Sequence, residues 1–232
     1  MRINDQLKLQ LMGRMPMMPR FRLPVSQEYA ESCLAMAVAA EVESAPKLMP
    51  CSARTMPTSA SALNSRYPDG DFEQCVRQTA AWTVNASPRH SLLLAGRYGN
   101  GKTTFLRALQ SLVNAFDLRD PMTGKRMRMP LYNAVALTEM HRTSVAEWHN
   151  VARAPLLAID DLGTEPREVM EFGNMTAPMR DLLEIRYDRS LPTLISTNMT
   201  PADITKRYGD RIGDRMREVM EVVRFRNGSY RR

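Results

Sequence analysis

An α/β fold with a parallel sheet flanked by helices is predicted by three features of this sequence. Short apolar runs of strand length recur from "SLLLA" (91–95) onward. Segments with helically spaced apolar residues lie between them, and strands that alternate with helices call for right-handed crossovers into a sheet covered on both faces. A glycine-rich turn, "GRYGNG" (96–101), joins the first run to a helix pattern. A chain of 232 residues buries one sizeable core with little left for a second.

The elements follow in order. Residues 1 to about 25 include "GRMPMMPRFRLP", whose prolines at 16, 19 and 24 exclude a long helix and predict an extended arm or a broken turn. From Ser26 to Ser44, Tyr29, Cys33, Met36, Ala37 and Ala40 form an apolar stripe, so a helix is expected; it either packs on its own chain or docks a partner. Residues 45–68 are rich in Pro, Ser, Ala and Thr without a sustained period, as in a linker. A boundary is therefore placed there, dividing a small, mainly helical segment, 1–66, from a main domain, 67–232. Phe72, Cys75, Val76, Thr79 and Trp82 share one helix face. Beyond the glycine turn, Phe105, Leu106, Leu109, Leu112, Val113 and Phe116 mark a second helix. "LYNAVALT" (131–138), "PLLAID" (155–160), "PTLISTN" (192–198) and "VVRFR" (222–226) read as further strands, with a helix around Glu139 to Val151.

The glycine turn carries chemistry. Gly96, Gly101, Lys102 and Thr103 complete G-x-x-x-x-G-K-[ST], the phosphate-binding loop. Following a buried strand and opening a helix, the backbone N–H groups and the positive helix end converge on phosphate oxygens that Lys102 reaches, while Thr103 is a Mg²⁺ ligand. Gly99 and Gly101 permit positive φ. A plain glycine turn is the alternative. "PLLAIDDLG" ends an apolar strand in Asp160 and Asp161, at the edge where ligands bind in open α/β sheets. Asp160 is suited to orienting Mg²⁺ and Asp161 to polarising an attacking water; without the loop, the pair is a turn or helix cap. "LISTNMT" places Asn198 at a strand tip, where an amide senses a terminal phosphate or forms a turn. "YGDRIGDRMREVM" (208–220) bears Arg211, Arg215 and Arg217, either solvated or inserted into a neighbouring subunit's site.

These motifs, in this order, resemble an AAA+ ATPase of the bacterial replicative-helicase-loader type, the DnaC/DnaI-like group, to which the IstB transposition-helper ATPases are related. "GRYGNGKTT", "LLAIDDLGTEP", "LISTNMTPADI", "YGDRIGDRMRE" and "VVRFRNGSYR" carry the resemblance over about Phe72 to Arg232. Only 34 residues follow Asn198, so a core without a separate helical lid is expected. The resemblance implies ATP on Gly96, Arg97, Tyr98, Gly99, Asn100, Gly101, Lys102, Thr103 and Thr104, with Mg²⁺ on Thr103 and Asp160. It makes Lys102, Asp161, Asn198 and Arg215 the catalytic set, Arg215 acting in trans within a nucleotide-dependent homo-oligomer. Many AAA+ proteins have Glu where Asp161 stands, and the shorter Asp implies slow, partner- or DNA-stimulated hydrolysis. A replicative hexameric helicase, gripped by the N-terminal segment, and single-stranded DNA are the implied partners.

Composition limits the alternatives. A net charge of +7 favours anionic partners. "TGKRMRM", with Lys125, Arg126 and Arg128, is a dense basic cluster that is either a solvated hairpin or a DNA contact; it lacks an aromatic to stack a base. Cys33, Cys51 and Cys75 are scattered, giving neither a disulfide framework nor a zinc site, and a reducing cytoplasm is expected. The longest apolar run, Cys33 to Ala40, is too short to span a bilayer. The 18 methionines read mainly as core filler. An IstB-like ATPase assembling on duplex DNA uses the same site. A small-molecule kinase requires an arginine-bearing lid for which no segment is evident, and an interaction module that binds nucleotide without turnover is the remaining alternative.

Overall fold

The computed structural model describes residues 21–43, 70–84, 89–120, 124–171, 173–226 and 228–229. The predicted linker and most of the predicted N-terminal arm lie outside the described residues.

Helix α1 (Gln27–Glu43) is followed by α2 (Gly70–Val84), strand β1 (Ser91–Gly96) and helix α3 (Lys102–Ala115). Next come β2 (Leu131–Asn133), α4 (Ala134–Thr143), α5 (Val145–Ala152), β3 (Leu157–Leu162) and a short hairpin of β4 (Val169–Glu171) and β5 (Asn174–Thr176). The chain continues through α6 (Pro178–Asp188), β6 (Thr193–Thr197), α7 (Pro201–Tyr208), α8 (Asp210–Val219) and β7 (Met220–Phe225). The main sheet has the order β2-β3-β6-β1-β7, and all its pairings are parallel. Its central strands β1, β3 and β6 are buried on both sides, which is why they read as continuous apolar runs rather than alternating ones.

One face packs Leu92, Leu94, Leu194, Val223 and Phe225 against α1, α2 and α3; the other packs Leu93, Ile159, Ile195 and Met220 against α4 to α8. The Ser26–Ser44 helix thus packs on its own chain, against α2 and α3. Its buried face is Ala30, Cys33, Leu34, Ala37 and Val38, shifted from the expected stripe, and Tyr29, Met36 and Ala40 lie at its margins. Two flanking helices press on α1, with the small Ala30 and Ala37 buried in its packed face. Ahead of α1, Phe21 and Leu23 are buried, Leu23 N–H donates to Thr83 O at 2.8 Å, and Phe21 stacks against Trp82 at 5.9 Å.

"LYNAVALT" is not one strand. Pairing stops at Asn133, whose side chain accepts from Val135 N and caps α4. Ala134, Leu137 and Thr138 are then buried at helical spacing while Val135 faces outward, 45% exposed. The single helix expected around Glu139 to Val151 is two, broken at Ser144. The β4–β5 hairpin and α6 have no counterpart in the predicted elements; Gly173-Asn174 at the hairpin tip is the local signal for a turn.

Arg186 of α6 is fully buried without a carboxylate among its hydrogen-bond partners. It donates to the carbonyls of Ala152, Ala154 and Pro192 at 3.1, 2.9 and 2.6 Å and to Thr193 Oγ1 at 2.7 Å. It therefore ties the end of α5 to the segments entering β3 and β6. Burial pushes its guanidinium down to about 9, so it stays charged at neutral pH. Arg186→Ala strands three carbonyls, two of them in buried contacts, and opens a cavity; a loss of about 3 kcal/mol or more is expected in urea denaturation, with little change in slope.

Candidate functional site

The parallel register brings the ends of all five strands together. Asn133 lies beside Asp160, Leu162 and Ala95 both lie beside Thr197, and Gly96 lies beside Phe225. Every sequence-predicted site residue except Arg215 therefore falls at the carboxyl edge of the sheet.

The glycine loop is held from below by β7. A Cβ on Gly96 would lie 2.3 Å from Asn100 Nδ2 and 2.6 Å from Phe225 O, so no larger residue fits while β7 remains there. Asn100 is fully buried, and its Nδ2 donates to Phe225 O at 3.1 Å. Gly99 and Gly101 have φ of 78° and 90°, the left-handed conformation expected of them. Gly101 precedes α3, so the first-turn N–H groups of that helix open toward the loop. Arg97 and Tyr98 are exposed, Tyr98 by 74%, and Thr104 is half-buried.

Lys102 is buried, and its ammonium donates to Gly96 O, Arg97 O, Asn100 Oδ1 and Asn198 Oδ1 at 2.9, 2.7, 2.9 and 2.8 Å. Loop lysine and strand-tip amide, 96 residues apart, are thus in direct contact. Thr103 Oγ1 donates to Asp160 Oδ1 at 3.1 Å. The same carboxylate oxygen accepts from Ser196 Oγ at 2.5 Å. Ser196 Oγ in turn accepts from Asp161 N at 2.9 Å. The donor set beside Asp160, a hydroxyl and a carboxylate, is hard oxygen and fits Mg²⁺, which takes one or two protein ligands and completes its shell with substrate phosphates and water.

The acid pair sits in a register shift of β3 against β6 between Ile159 and Leu162. Asp161 adopts φ 54°, and its carbonyl accepts from Thr164 N and Thr164 Oγ1 at 3.2 and 2.9 Å. A left-handed aspartate in a bulged strand end turns consecutive carboxylates in different directions, which an unbroken strand does only by pointing them to opposite faces. Asp160 is thereby tied to Thr103 and Ser196, and Asp161 is half-buried beside it.

The arginines lie elsewhere. Arg215 sits beneath the start of β1, in a pocket lined by His90, Ser91, Arg186 and Met216. A six-residue strand spans about 20 Å, which separates Arg215 from its own chain's loop. Its guanidinium lies 4.4 Å from the Tyr187 ring and 3.1 Å from Asp188. Arg211 and Arg217 are more exposed, beside Glu184 and Asp214 respectively. The basic cluster forms a hairpin-like turn in which Arg126 pairs backbone with Arg119 and approaches Asp117 at 3.7 Å. It joins α3 to β2, at the sheet edge opposite the loop.

Sequence reasoning missed Ser196, the structural role of Asn100, and Phe225 as its partner. Serine in a buried strand is a weak signal; here it lies in "LISTN", two residues before the amide already singled out. Cys75 is buried beside Arg224 O, and burial pushes its thiol up to about 12, so it is inert at neutral pH. Among the described residues no helix is long and apolar enough to cross a membrane.

A glycine-rich loop of G-x-x-x-x-G-K-[ST] pattern, an acidic strand end and a strand-tip amide thus meet on a parallel β2-β3-β6-β1-β7 sheet, an arrangement of P-loop type. No sequence-family profile matches the chain, and no characterised protein matches it by sequence. Solved structures do. A protein described as a candidate primosome component from Streptococcus pyogenes serotype M3 aligns with 72% of this chain and 85% of its own, at 18% identity and TM-score 0.52. DnaI aligns with 71% of this chain and 86% of its own, at 19% identity and TM-score 0.51. The DnaC helicase loader covers 68% and 92%, at 19% identity and TM-score 0.49. The chain shares its fold, a parallel sheet with flanking helices, with the first two.

Ser196→Ala leaves Asp161 N–H without its acceptor and removes one donor to Asp160. A loss of about 1–3 kcal/mol in denaturation is expected, and any Mg²⁺-dependent turnover is expected to fall by about tenfold or more in a steady-state phosphate-release assay.

Proposed function

We propose that the chain is an ATP-dependent DNA-replication factor that loads or remodels a replicative hexameric helicase on single-stranded DNA. In this reading it hydrolyses ATP slowly, at an interface between subunits, under stimulation by its partner or DNA. The supporting observation is the direct contact of Lys102 with Asn198 beside that of Thr103 with Asp160, which joins loop, acid pair and amide in one site. The shared fold adds to this: one solved relative is DnaI and the other is described as a primosome component.

The chain's own groups divide the chemistry. The first-turn N–H groups of α3 and the loop backbone bind the phosphates. Lys102 Nζ turns from the loop carbonyls to β- and γ-oxygens, while Asn198 orients the terminal phosphate. Asp161 accepts a proton from the water that attacks the γ-phosphorus as the bond to the bridging oxygen breaks. Thr103 and Asp160 hold Mg²⁺, which when bound neutralises charge on the phosphate oxygens. Arg215 lies far from its own loop, so any action on the leaving phosphate belongs to a neighbouring subunit's site. That action requires it to leave Tyr187 and Asp188.

Lys102→Ala is expected to weaken ATP binding by about tenfold to a hundredfold, measured by titration with a fluorescent ATP analogue. Arg215→Ala is expected to keep binding and lose turnover, and an exchanging mixture with Lys102→Ala subunits to regain part of it. No recovery argues for an arginine acting in cis or for another residue. A pull-down followed by ATPase assay with and without single-stranded DNA tests the partner. Capture of a hexameric helicase supports the reading, preference for duplex DNA points to a transposition helper, and binding without turnover points to an interaction module.

A further inference from the structure

Behind the acid pair lies a buried cluster that the proposed chemistry does not use. Glu165 follows Asp161 by four residues, and its side chain is fully buried. Its Oε2 accepts from Gly163 N at 2.8 Å, and its Oε1 accepts from Tyr208 OH at 2.5 Å. Arg207 Nε and Nη2 approach Oε1 at 3.4 Å, and Nη2 also donates to the Glu165 carbonyl. Tyr208 is held well above the usual phenol range, chiefly by burial and then by the Glu165 carboxylate, so it remains a donor.

The cluster joins two segments that carry reacting groups. On one side is the turn 161–165, where Asp161 and Gly163 both have positive φ, 54° and 104°. A Cβ at Gly163 would lie 2.6 Å from Met199 Sδ, so the turn is packed against the residue after Asn198. On the other side is the end of α7, which starts just after Asn198 in the Thr200–Asp203 capping box. Helix α7 packs closely on α8: a Cβ on Gly213 would lie 2.3 Å from Thr205 Oγ1, so the two helices are in tight contact there. Arg211, Arg215 and Arg217 ride on α8.

We infer that Glu165 is a positioning residue, which holds the Asp161 turn in register with α7 through Arg207 and Tyr208 and so lets the α7–α8 pair govern turnover. The inference rests on the proposed ATPase reading. A left-handed turn at Asp161 is costly for a residue with a Cβ and persists only where its surroundings over-determine it. Glu165 supplies that constraint without standing among the predicted phosphate or water contacts. A shift of α8 at a subunit interface passes through Gly213 to α7, and from Tyr208 and Arg207 to the Asp161 turn.

The test uses the full chain. Nucleotide affinity is measured with a fluorescent ATP analogue, kcat and KM by phosphate release, and the melting midpoint by calorimetry. Two variants, Glu165→Gln and Tyr208→Phe, and their combination are compared with wild type well below the lowest midpoint. Glu165→Gln is expected to lower kcat by about tenfold with KM and nucleotide affinity within about twofold. Tyr208→Phe is expected to lower kcat less, and the double variant no more than Glu165→Gln alone. A lowered midpoint with unchanged kcat in both variants, or parallel loss of affinity and kcat, makes the cluster structural and overturns the inference while leaving the ATPase reading in place. No nucleotide binding in the wild type, or no turnover with single-stranded DNA and the captured partner present, overturns the ATPase reading, and the inference with it.

Discussion

Removing an ammonium from water costs several kcal/mol unless its donors are met, and the site is arranged around meeting those of Lys102. Its acceptors come from the end of β1, from the glycine loop and from the residue after β6. These lie within reach of one nitrogen because β1 pairs in parallel with β6 on one side and β7 on the other. The loop keeps its path because β7 occupies the space that a side chain on Gly96 would need, and because Asn100 spans to Phe225 O. The last strand of the main sheet is in this sense a wall of the phosphate loop.

A second link, through Asp160, holds the opposite side of the site. Thr103 on α3 and Ser196 on β6 share one of its oxygens, and Ser196 also receives the backbone N–H of Asp161. Three adjacent elements are thereby connected by hydroxyls short enough to allow little slack. Hydrogen bonds to a charged oxygen are stronger than neutral ones, so the arrangement resists distortion by the bulge in β3. The helices behind the sheet extend the same frame. Helix α1 buries its face on α2 and α3, so residues well before the loop belong to the packing that supports α3.

Much of this is legible in the chain because the central strands β1, β3 and β6 are buried on both faces and so stand out as apolar runs. The loop, the acid pair and Asn198 were each recognisable from a motif of a few residues. The failures have particular causes. "LYNAVALT" reads as a strand because the run is apolar throughout, and only the cap supplied by Asn133 turns it into helix after three residues. The face of α1 was misjudged because a stripe drawn on one helix does not say which two neighbours will press on it. Ser196 was overlooked because a serine in a strand carries no signal until the register places it opposite the bulge at Asp160–Asp161.

The sequence by itself determined the alternation of central buried strands with helices, the conformation of the glycine turn and the residue types suited to phosphate. Those follow from local sterics, from periodicity and from charge, which act over a few residues. The tertiary structure alone decided which groups touch. Lys102 meets Asn198, Gln78 reaches the edge of β7, Glu165 meets Tyr208 and Arg215 rests on Tyr187 because of strand order and helix packing. Contacts across 96 residues of chain, as between Lys102 and Asn198, are set by how separate elements share one buried core, and no local pattern encodes that.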